Sequence, residues 1–422
     1  MDGLFPRTLS AALRRVAGPY PVVYLTGPRQ SGKTTLACAT FPDFAYVNLE
    51  DLQRRAAIKE DPHGFLRSVA GEAGVIVDEA QRVPELFSYL QQVVDERRAG
   101  PFVLTGSQQF LLGAQISQSL AGRAAVLELL PFSAAELWRR PALAPDAWAE
   151  AAPFGSGAGV APATAPGSLD DVLFAGMYPA IHDRGLEPSP WLDSYLTTYV
   201  ERDARLAGAI GDLASFARFV GLCAGRSGQV VNLTSLGSDA GVSRVTVSRW
   251  LSILSASYIV TMLRPHHENF SRRLVKTSKL YFLDTGLMCA LLGVRTAADL
   301  RVHPLRGAVF ETFVVSELIK LFLHHGERPP LYFWRDSNGR EVDVLLDLGT
   351  SRVPVEAKAG MTVAADAFRG LENYQRLAAS AAERAAAEGR PGYLTRRSVL
   401  VYGGDEWYER RGHDVRPWWA CT

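Results

Sequence analysis

The feature that most restricts the fold is a glycine-bounded segment, Gly27–Thr34, which reads GPRQSGKT. It fits the pattern G-x-x-x-x-G-K-[ST], with an apolar strand-like run before it and a helix-like run after it. Glycines at both ends allow backbone N–H groups to converge on phosphate oxygens, and the following helix N-terminus adds partial positive charge. The segment therefore predicts a nucleoside triphosphate site, most simply for Mg-ATP.

Two side chains in this loop have defined tasks in triphosphate binding. Lys33 is expected to contact the β- and γ-phosphates, and the Thr34 hydroxyl is expected to ligate Mg²⁺. The residues predicted to line the nucleotide are Gly27, Pro28, Arg29, Gln30, Ser31, Gly32, Lys33, Thr34 and Thr35, with Ser107 from a later segment.

An apolar run that ends in two acids, VIVDE at residues 75–79, predicts hydrolysis in addition to binding. Asp78 is expected near the Mg²⁺ ion, and Glu79 is expected to orient and deprotonate the attacking water. Ser107 and Gln108 follow another apolar run, and either is a candidate to contact the γ-phosphate or the water. A strand-ending turn without this role is the alternative for that pair.

Length and composition leave the function class open. A chain of 422 residues allows two to four domains. The net charge of +1 gives no sign of nucleic-acid binding, so such contact would need a local basic patch. The four scattered cysteines indicate neither a zinc site nor a disulfide framework. No apolar run reaches the roughly 18 residues of a membrane span, and the first residues have no signal-peptide core, so we expect a cytoplasmic protein.

Four segments together resemble a known family. They are GPRQSGKTTL, VIVDEAQRVPEL, VLTGSQQFLL and SLAGRAAVLELLPFSAAEL, and in this order they resemble the AAA+ branch of P-loop ATPases, most closely its prokaryotic archaeal-type (Arc) group. The resemblance implies ATP and Mg²⁺ as ligands and leaves a homo-oligomer open. It also implies that Arg123 senses or stabilises the γ-phosphate, in the same or a neighbouring subunit. An ordinary surface salt bridge is the alternative role for Arg123.

Residues 232–259 predict two helices joined by a tight turn. Ser243 is expected to cap the second helix, and the turn is expected at residues 240–242. The segment resembles a winged helix-turn-helix, which would turn Arg244 and Arg249 towards a DNA groove. A purely structural helix pair is an equally open interpretation.

The C-terminal third predicts a cluster of acids beside a lysine. Glu356 and Lys358 alternate with apolar residues on one strand, so they share a face, and Asp343 lies on the preceding strand. Glu311 on a helix adds a further acid. Oxygen ligands of this kind bind hard cations, so Glu311, Asp343 and Glu356 are predicted Mg²⁺ ligands, and Lys358 could activate water. The order resembles the PD-(D/E)xK nuclease fold and the uncharacterised domain joined to this ATPase group.

These observations predict an α/β protein with a P-loop parallel sheet, a helical and winged-helix middle, and a restriction-endonuclease-like C-terminal domain. The predicted boundaries are 1–140 for the ATPase domain, 141–168 for a flexible insertion, 169–265 for the middle and 266–422 for the nuclease-like domain. The predicted function is an Mg-ATP hydrolase coupled to DNA or RNA, with Asp343, Glu356 and Lys358 as cleavage residues and no membrane partner. A nucleotide-gated protein-interaction switch is the alternative.

Overall fold

The structure is a computed structural model that describes most of the chain. The described residues are 4–69, 72–96, 100–107, 120–149, 167–200, 212–266, 277–336, 338–389, 394–395 and 397–422.

A five-stranded parallel sheet forms the N-terminal unit, as the alternating pattern predicted. Its strands are β1 (Val22–Thr26), β2 (Ala45–Asn48), β3 (Val75–Asp78), β4 (Phe102–Gly106) and β5 (Ala124–Glu128), in the order β2-β3-β4-β1-β5. Strand β5 was not predicted, because its exposed edge position leaves it only weakly apolar. Strand β4 lies between β1 and β3, so one strand separates the P-loop strand from the strand that ends in two acids.

Helices cover both faces of this sheet. They are α1 (Leu9–Ala17), α2 (Lys33–Thr40), α3 (Leu52–Glu60), α4 (Pro62–Ser68) and α5 (Leu86–Asp95). Successive strand residues point to opposite faces. Val23 and Leu25 therefore pack with α1 and α2, whereas Val22 and Tyr24 pack with α3, α4 and α5. Burial on both faces explains why the central strands read as continuous apolar runs.

The middle of the chain is helical. Its helices are α6 (Ala134–Leu137), α7 (Pro145–Ala149), α8 (Leu169–Ala175), α9 (Pro179–Arg184), α10 (Pro188–Tyr195), α11 (Leu213–Ala224), α12 (Leu233–Ala240) and α13 (Arg244–Ala256), with a π-helical turn at Leu196–Val200. The predicted cap is present, since the Ser243 hydroxyl accepts the N–H of Thr246 at 3.1 Å. Gly241 makes the turn between α12 and α13 with a left-handed φ of 74°.

The described part of the expected flexible insertion is ordered. Helix α7 lies inside it and holds Trp148, whose side chain is fully buried and donates its N–H to the carbonyl of Cys421 at 2.8 Å. The guanidinium of Arg416 stacks over the same indole, 4.5 Å from the ring centroid. Residues 141–149 are therefore docked against the C-terminus, and residues 150–166 lie outside the described part.

A second sheet joins the middle to the C-terminal third. Its strands are β6 (Val260–Pro265), β7 (Lys279–Phe282), β8 (Leu331–Arg335), β9 (Glu341–Asp347), β10 (Ser351–Lys358), β11 (Leu394–Thr395), β12 (Val399–Tyr402), β13 (Tyr408–Arg410) and β14 (His413–Pro417), in the order β13-β14-β12-β10-β9-β8-β6-β7, with β11 beside β10. Its helices are α14 (Thr285–Leu291), α15 (Ala297–Val302), α16 (Arg306–Leu323) and α17 (Arg369–Ala387).

The predicted boundary at residue 265 does not separate two folding units. Strand β6 pairs with β8, and the β6–β7 hairpin follows directly on α13, so helices and sheet are continuous. One apolar core runs from Leu130 to Cys421 and includes residues from α11, α13, α16 and β10. No described helix is both long and apolar enough to cross a bilayer.

Candidate nucleotide site and C-terminal carboxylate cluster

Two glycines shape the loop between β1 and α2. Gly27 has φ of 149°, and a Cβ built there would lie 2.1 Å from the carbonyl oxygen of Leu129. Gly32 has φ of 91° and is the N-cap of α2. Side chains are strained in this left-handed region, and at Gly27 one would also collide with backbone. The predicted glycine-bounded turn is therefore present, with the helix N-terminus directed at it.

The interior of the loop is lined by polar groups. Lys33 is 7% exposed, and its Nζ donates to the carbonyls of Gly27 at 3.0 Å and Pro28 at 2.7 Å. Within the described part of the chain, the hydroxyls of Ser31 and Ser107 are buried without hydrogen-bond partners. Buried polar atoms are nearly always paired, so these two hydroxyls suit a polar ligand beside the loop. Gln108 lies outside the described residues.

The Thr34 and Asp78 side chains, which the motifs assigned to Mg²⁺, are in direct contact. The Thr34 hydroxyl donates to Asp78 Oδ1 at 2.8 Å, and the Tyr46 hydroxyl donates to Asp78 Oδ2 at 3.0 Å. The Thr105 hydroxyl also donates to Asp78. Mg²⁺ is commonly held by one or two protein oxygens together with phosphates and water, and the Thr34–Asp78 pair fits that requirement. Sequence reasoning missed Tyr46 and Thr105, although Thr105 immediately precedes the GSQ segment.

Glu79 follows Asp78 in an unusual backbone conformation. Its φ is 56°, which is the left-handed region that non-glycine residues rarely adopt. Its N–H donates to the Thr105 hydroxyl at 3.3 Å, and its carboxylate accepts from the Gln81 amide. Burial raises the pKa of Glu79, and the positive charges of Lys33 and Arg29 only partly oppose that shift. A raised pKa makes a carboxylate a better general base.

A cavity of about 290 Å³ with a mixed polar and apolar lining adjoins this loop. Helix α2 forms one wall with Gly32 and Thr35, and the rest of the lining includes Phe5, Phe132 and Pro179 together with the charged residues Arg7, Arg14 and Asp183. The cavity thus begins at the residues that directly follow the phosphate-binding turn. Thr35, predicted to line the nucleotide, lies on this side.

The acids and lysine predicted in the C-terminal third also converge. Strands β9 and β10 pair as far as Val344 and Val355, beyond which the Asp343 carboxylate accepts the N–H of Ala357 at 2.9 Å. Lys358 Nζ donates to Glu356 Oε1 at 2.6 Å, while Glu356 Oε2 is buried with no partner among the described residues.

Three further residues complete this carboxylate cluster and were missed from sequence. Lys279 on β7 is 2% exposed, and its Nζ lies 3.2 Å from Glu311, contacts Glu341 and lies 4.0 Å from Asp343. The Tyr281 hydroxyl donates to Glu311 at 2.6 Å. Burial alone would lower the pKa of Lys279, but the surrounding carboxylates outweigh it and raise that pKa.

The carboxylate cluster contains more acids than bases. Glu311, Glu341, Asp343 and Glu356 face Lys279 and Lys358, and Glu341 also lies 3.9 Å from Arg335 Nε at the exposed side, so full ionisation would leave an excess of negative charge. Burial, reinforced by Asp343, raises the pKa of Glu311 to about 7 and that of Glu356 to about 8. Protonation of these groups reduces the negative charge of the cluster.

The predicted Mg²⁺ site on Glu311, Asp343 and Glu356 does not fit this geometry. The Lys279 ammonium already lies against Glu311 and near Asp343. Throughout the described ranges, no group of three or more His, Cys, Asp or Glu residues could hold a metal ion. The Lys279 ammonium supplies the positive charge that the sequence led us to expect from Mg²⁺.

Comparisons with known proteins divide the chain into three segments. Residues 19–138 match a family described as an AAA domain. Residues 167–298 and 306–421 match two domains of unknown function, DUF8612 and DUF4143. The uncharacterized proteins Rv2008c of Mycobacterium tuberculosis and Mb2031c of Mycobacterium bovis are each 32% identical to this chain over 365 residues, which is 84% of the chain and 74% of the relative.

The chain belongs to this family of proteins with an AAA-type P-loop ATPase domain. Among solved structures, the Walker-type ATPase PABY2304 of Pyrococcus abyssi aligns with a TM-score of 0.44 at 15% identity, over 68% of this chain and 96% of that one. A point variant of RuvB from Thermotoga maritima aligns with a TM-score of 0.28 at 18% identity, over 60% of this chain and 86% of that one.

Within the AAA domain, Arg123 lies at the wrong edge of the sheet to reach its own P-loop. Parallel β1 and β5 pair Val22 with Ala124 and Thr26 with Glu128, so Arg123 lies level with the start of β1. Six strand residues correspond to roughly 20 Å. Arg123 is exposed and forms a bidentate ion pair with Asp95. This ion pair is the alternative role considered for Arg123, and a role of Arg123 at a γ-phosphate stays a prediction.

The raised pKa values in the carboxylate cluster predict a pH-dependent stability. A carboxyl whose pKa is higher in the folded chain stabilises the fold below its unfolded pKa, and this contribution is lost as pH rises through the folded value. From about pH 5 up to its folded pKa, which is about 7 for Glu311 and about 8 for Glu356, each group costs about 1.4 kcal/mol per pH unit. Glu356→Gln should therefore raise the melting temperature relative to wild type, increasingly towards pH 8.

This prediction is checked by thermal unfolding from about pH 5 to pH 9 in EDTA, which excludes metal binding. Glu383→Gln, an exposed change on α17, is the matched control and should follow the wild-type curve. Identical pH profiles for Glu356→Gln and wild type would show that Glu356 is not protonated in the folded protein.

Proposed function

We propose that this chain is an ATP-driven switch that binds and hydrolyses Mg-ATP at residues 27–34 and thereby changes how its remaining two-thirds contact nucleic acid. The observation that carries the ATPase part is the Thr34–Asp78 hydrogen bond, with Glu79 next to it. The AAA domain match supports the same reaction.

Each residue of the site has a specific task in this proposal. Lys33 and the loop N–H groups bind the phosphates, and Thr34 and Asp78 would hold Mg²⁺, which when bound would neutralise phosphate charge. Ser31 and Ser107 offer unpaired hydroxyls to phosphate oxygens or water. Glu79 accepts the proton of the attacking water, and Thr105 fixes both acids through its hydroxyl. The cavity beside Thr35 accommodates the base, with Phe5 and Phe132 as part of its lining.

Two substitutions separate binding from hydrolysis. Lys33→Ala should abolish binding of a fluorescent ATP analogue, because the main phosphate-binding cation is lost. Glu79→Gln should retain binding and lose about 100-fold or more of the phosphate-release rate, because the general base is lost. Lys59→Ala, an exposed lysine on α3, is the control. Wild-type turnover in Lys33→Ala would refute the proposal.

Arg123 completes the site of a neighbouring copy in this proposal. It is exposed at the sheet edge formed by β5, where a second chain can approach. An arginine supplied from another subunit stabilises charge in the transition state.

Mixing two inactive variants tests this arrangement. Arg123→Ala should bind nucleotide but hydrolyse it about 10-fold or more slowly, and its mixture with Glu79→Gln should recover part of the activity by forming sites with both residues intact. Arg67→Ala, an exposed residue on α4, is the control. Full activity of Arg123→Ala would contradict the proposal.

The middle of the chain supports a winged-helix unit. Helices α11, α12 and α13 are followed by the antiparallel β6–β7 hairpin, and Val230 forms a bridge with Lys279 beside it. Val247, Trp250 and Leu254 form the buried side of α13, whereas Arg244 and Arg249 lie on the exposed side. This arrangement suits insertion of α13 into a major groove.

DNA binding is tested by fluorescence anisotropy with duplex and single-stranded oligonucleotides at several salt concentrations. Wild type should bind with a steep salt slope, and Arg244→Ala should weaken binding about 3- to 10-fold. Arg184→Ala on α9 is the charge-matched control. Absence of salt-dependent binding would favour a nucleotide-gated protein-interaction switch instead.

Metal-dependent cleavage at Asp343, Glu356 and Lys358 is left out of this proposal, because Lys279 lies within the carboxylate cluster. The same preparations decide the point when incubated with Mg²⁺ or Mn²⁺ and labelled DNA or RNA. Cleavage by wild type that Lys358→Ala loses would restore the nuclease prediction.

A further inference from the structure

Arg7 is a buried arginine whose guanidinium joins three segments. Its Nη1 donates to the Ser31 carbonyl at 2.8 Å, its Nη2 donates to the Leu130 carbonyl at 2.7 Å, and its Nε donates to Glu136 Oε2 at 3.1 Å. One of these acceptors belongs to the phosphate-binding loop itself. A rigid, forked group with several donors is suited to fixing three acceptors at once.

Glu136 is the partner that connects Arg7 to the C-terminal third. Its carboxylate also accepts the N–H groups of Thr8 at 2.7 Å and Ser133 at 3.0 Å, and it lies 3.3 Å from His324 Nδ1. Burial by itself would raise the pKa of Glu136, but the charge of Arg7, together with the hydrogen bonds that the carboxylate accepts, holds that pKa well below its usual range. The carboxylate is therefore ionised and fully engaged. Burial lowers the pKa of His324 itself, so its contact with Glu136 is that of a neutral imidazole near neutral pH.

Helix α16 carries this connection onward. About two turns before His324, which is the C-cap of the helix, Glu317 accepts the N–H of Ala134 at 2.8 Å and pairs with Lys320 at 2.8 Å. Glu311, near the other end of the helix, belongs to the carboxylate cluster. The 13 residues from Glu311 to His324 span about 20 Å. Most of the helix is buried, so it can move only as a unit with its surroundings.

We propose that Arg7 is a positioning residue of the nucleotide site, and that Glu136 and helix α16 transmit the position of the phosphate-binding loop to the carboxylate cluster. This inference rests on the proposed function, since it requires nucleotide at residues 27–34. A shift of the Ser31 carbonyl when phosphates bind alters one acceptor of Arg7, and the shared guanidinium conveys the shift to Glu136 and His324.

A purely structural ion network is the competing explanation, and it makes different predictions. It would lower stability when disrupted, without changing nucleotide kinetics or linking the two sites. Coupling is also reciprocal. If nucleotide binding shifts a conformational equilibrium of the carboxylate cluster, that same shift must change the nucleotide affinity by the same factor.

The first experiment measures nucleotide affinity, kcat and KM for Arg7→Lys, which keeps the charge and loses the fork. We expect KM to rise and kcat to fall by about 10-fold each, at a melting temperature close to that of wild type. Arg67→Lys on α4 is the control. Wild-type kinetics in folded Arg7→Lys would overturn the assignment of Arg7.

The second experiment follows hydrogen exchange along α16 and β9 with and without a slowly hydrolysed ATP analogue. Wild type should exchange more slowly at residues 306–324 when nucleotide is bound, and Arg7→Lys and His324→Gln should lose that response. Glu311→Gln should change nucleotide affinity by about 5-fold or more, whereas Glu383→Gln should not.

The outcomes separate this inference from the proposed function. Wild-type protein that binds nucleotide with unchanged exchange in α16, and unchanged affinity in Glu311→Gln, overturns the coupling alone. Wild-type protein that fails to bind nucleotide overturns the proposed function, and this inference with it.

Discussion

The hydrogen bond between the Thr34 hydroxyl and Asp78 is the contact on which the nucleotide site depends. It joins the first turn of α2 to the end of β3, although β4 lies between β3 and the P-loop strand. The inserted strand contributes Thr105, whose hydroxyl contacts Asp78 and the N–H of Glu79. The phosphate-binding loop, the acids Asp78 and Glu79 and the end of β4 with Thr105 are therefore in contact because the strand order brings them to the same edge of the sheet.

Buried ion pairs lie close to the boundary between the AAA domain and helix α16. Arg7 with Glu136 and Lys320 with Glu317 are ion pairs almost without solvent exposure. Such pairs rarely add much net stability, since desolvation offsets attraction, but losing one partner leaves an uncompensated charge. Two contacts cross between these pairs: Glu317 accepts the N–H of Ala134 at 2.8 Å, and His324 Nδ1 lies 3.3 Å from Glu136. These contacts connect the end of the AAA domain to helix α16 and bring the phosphate-binding loop within two side chains of the C-terminal third.

The carboxylate cluster also contains buried ion pairs, but here the carboxyl groups outnumber the lysines. Four carboxyl groups surround two lysines, and the raised pKa values of Glu311 and Glu356 reduce the charge. Lys279 lies on β7, which pairs with β6 in the hairpin that follows helices α12 and α13. The middle and C-terminal segments are thus linked through the core and also through the chemistry of this cluster.

The sequence by itself determined the phosphate-binding turn, the acids at the end of β3 and the shared face of Glu356 and Lys358. These features are local, because they depend on glycine conformations, strand ends and the two-residue period of a strand. Only the tertiary structure decided the remoteness of Arg123 from its own P-loop, the entry of Lys279 among the acids and the link from Arg7 to α16. Those contacts join segments far apart in the chain, and strand register together with the pairing of buried polar groups selects them.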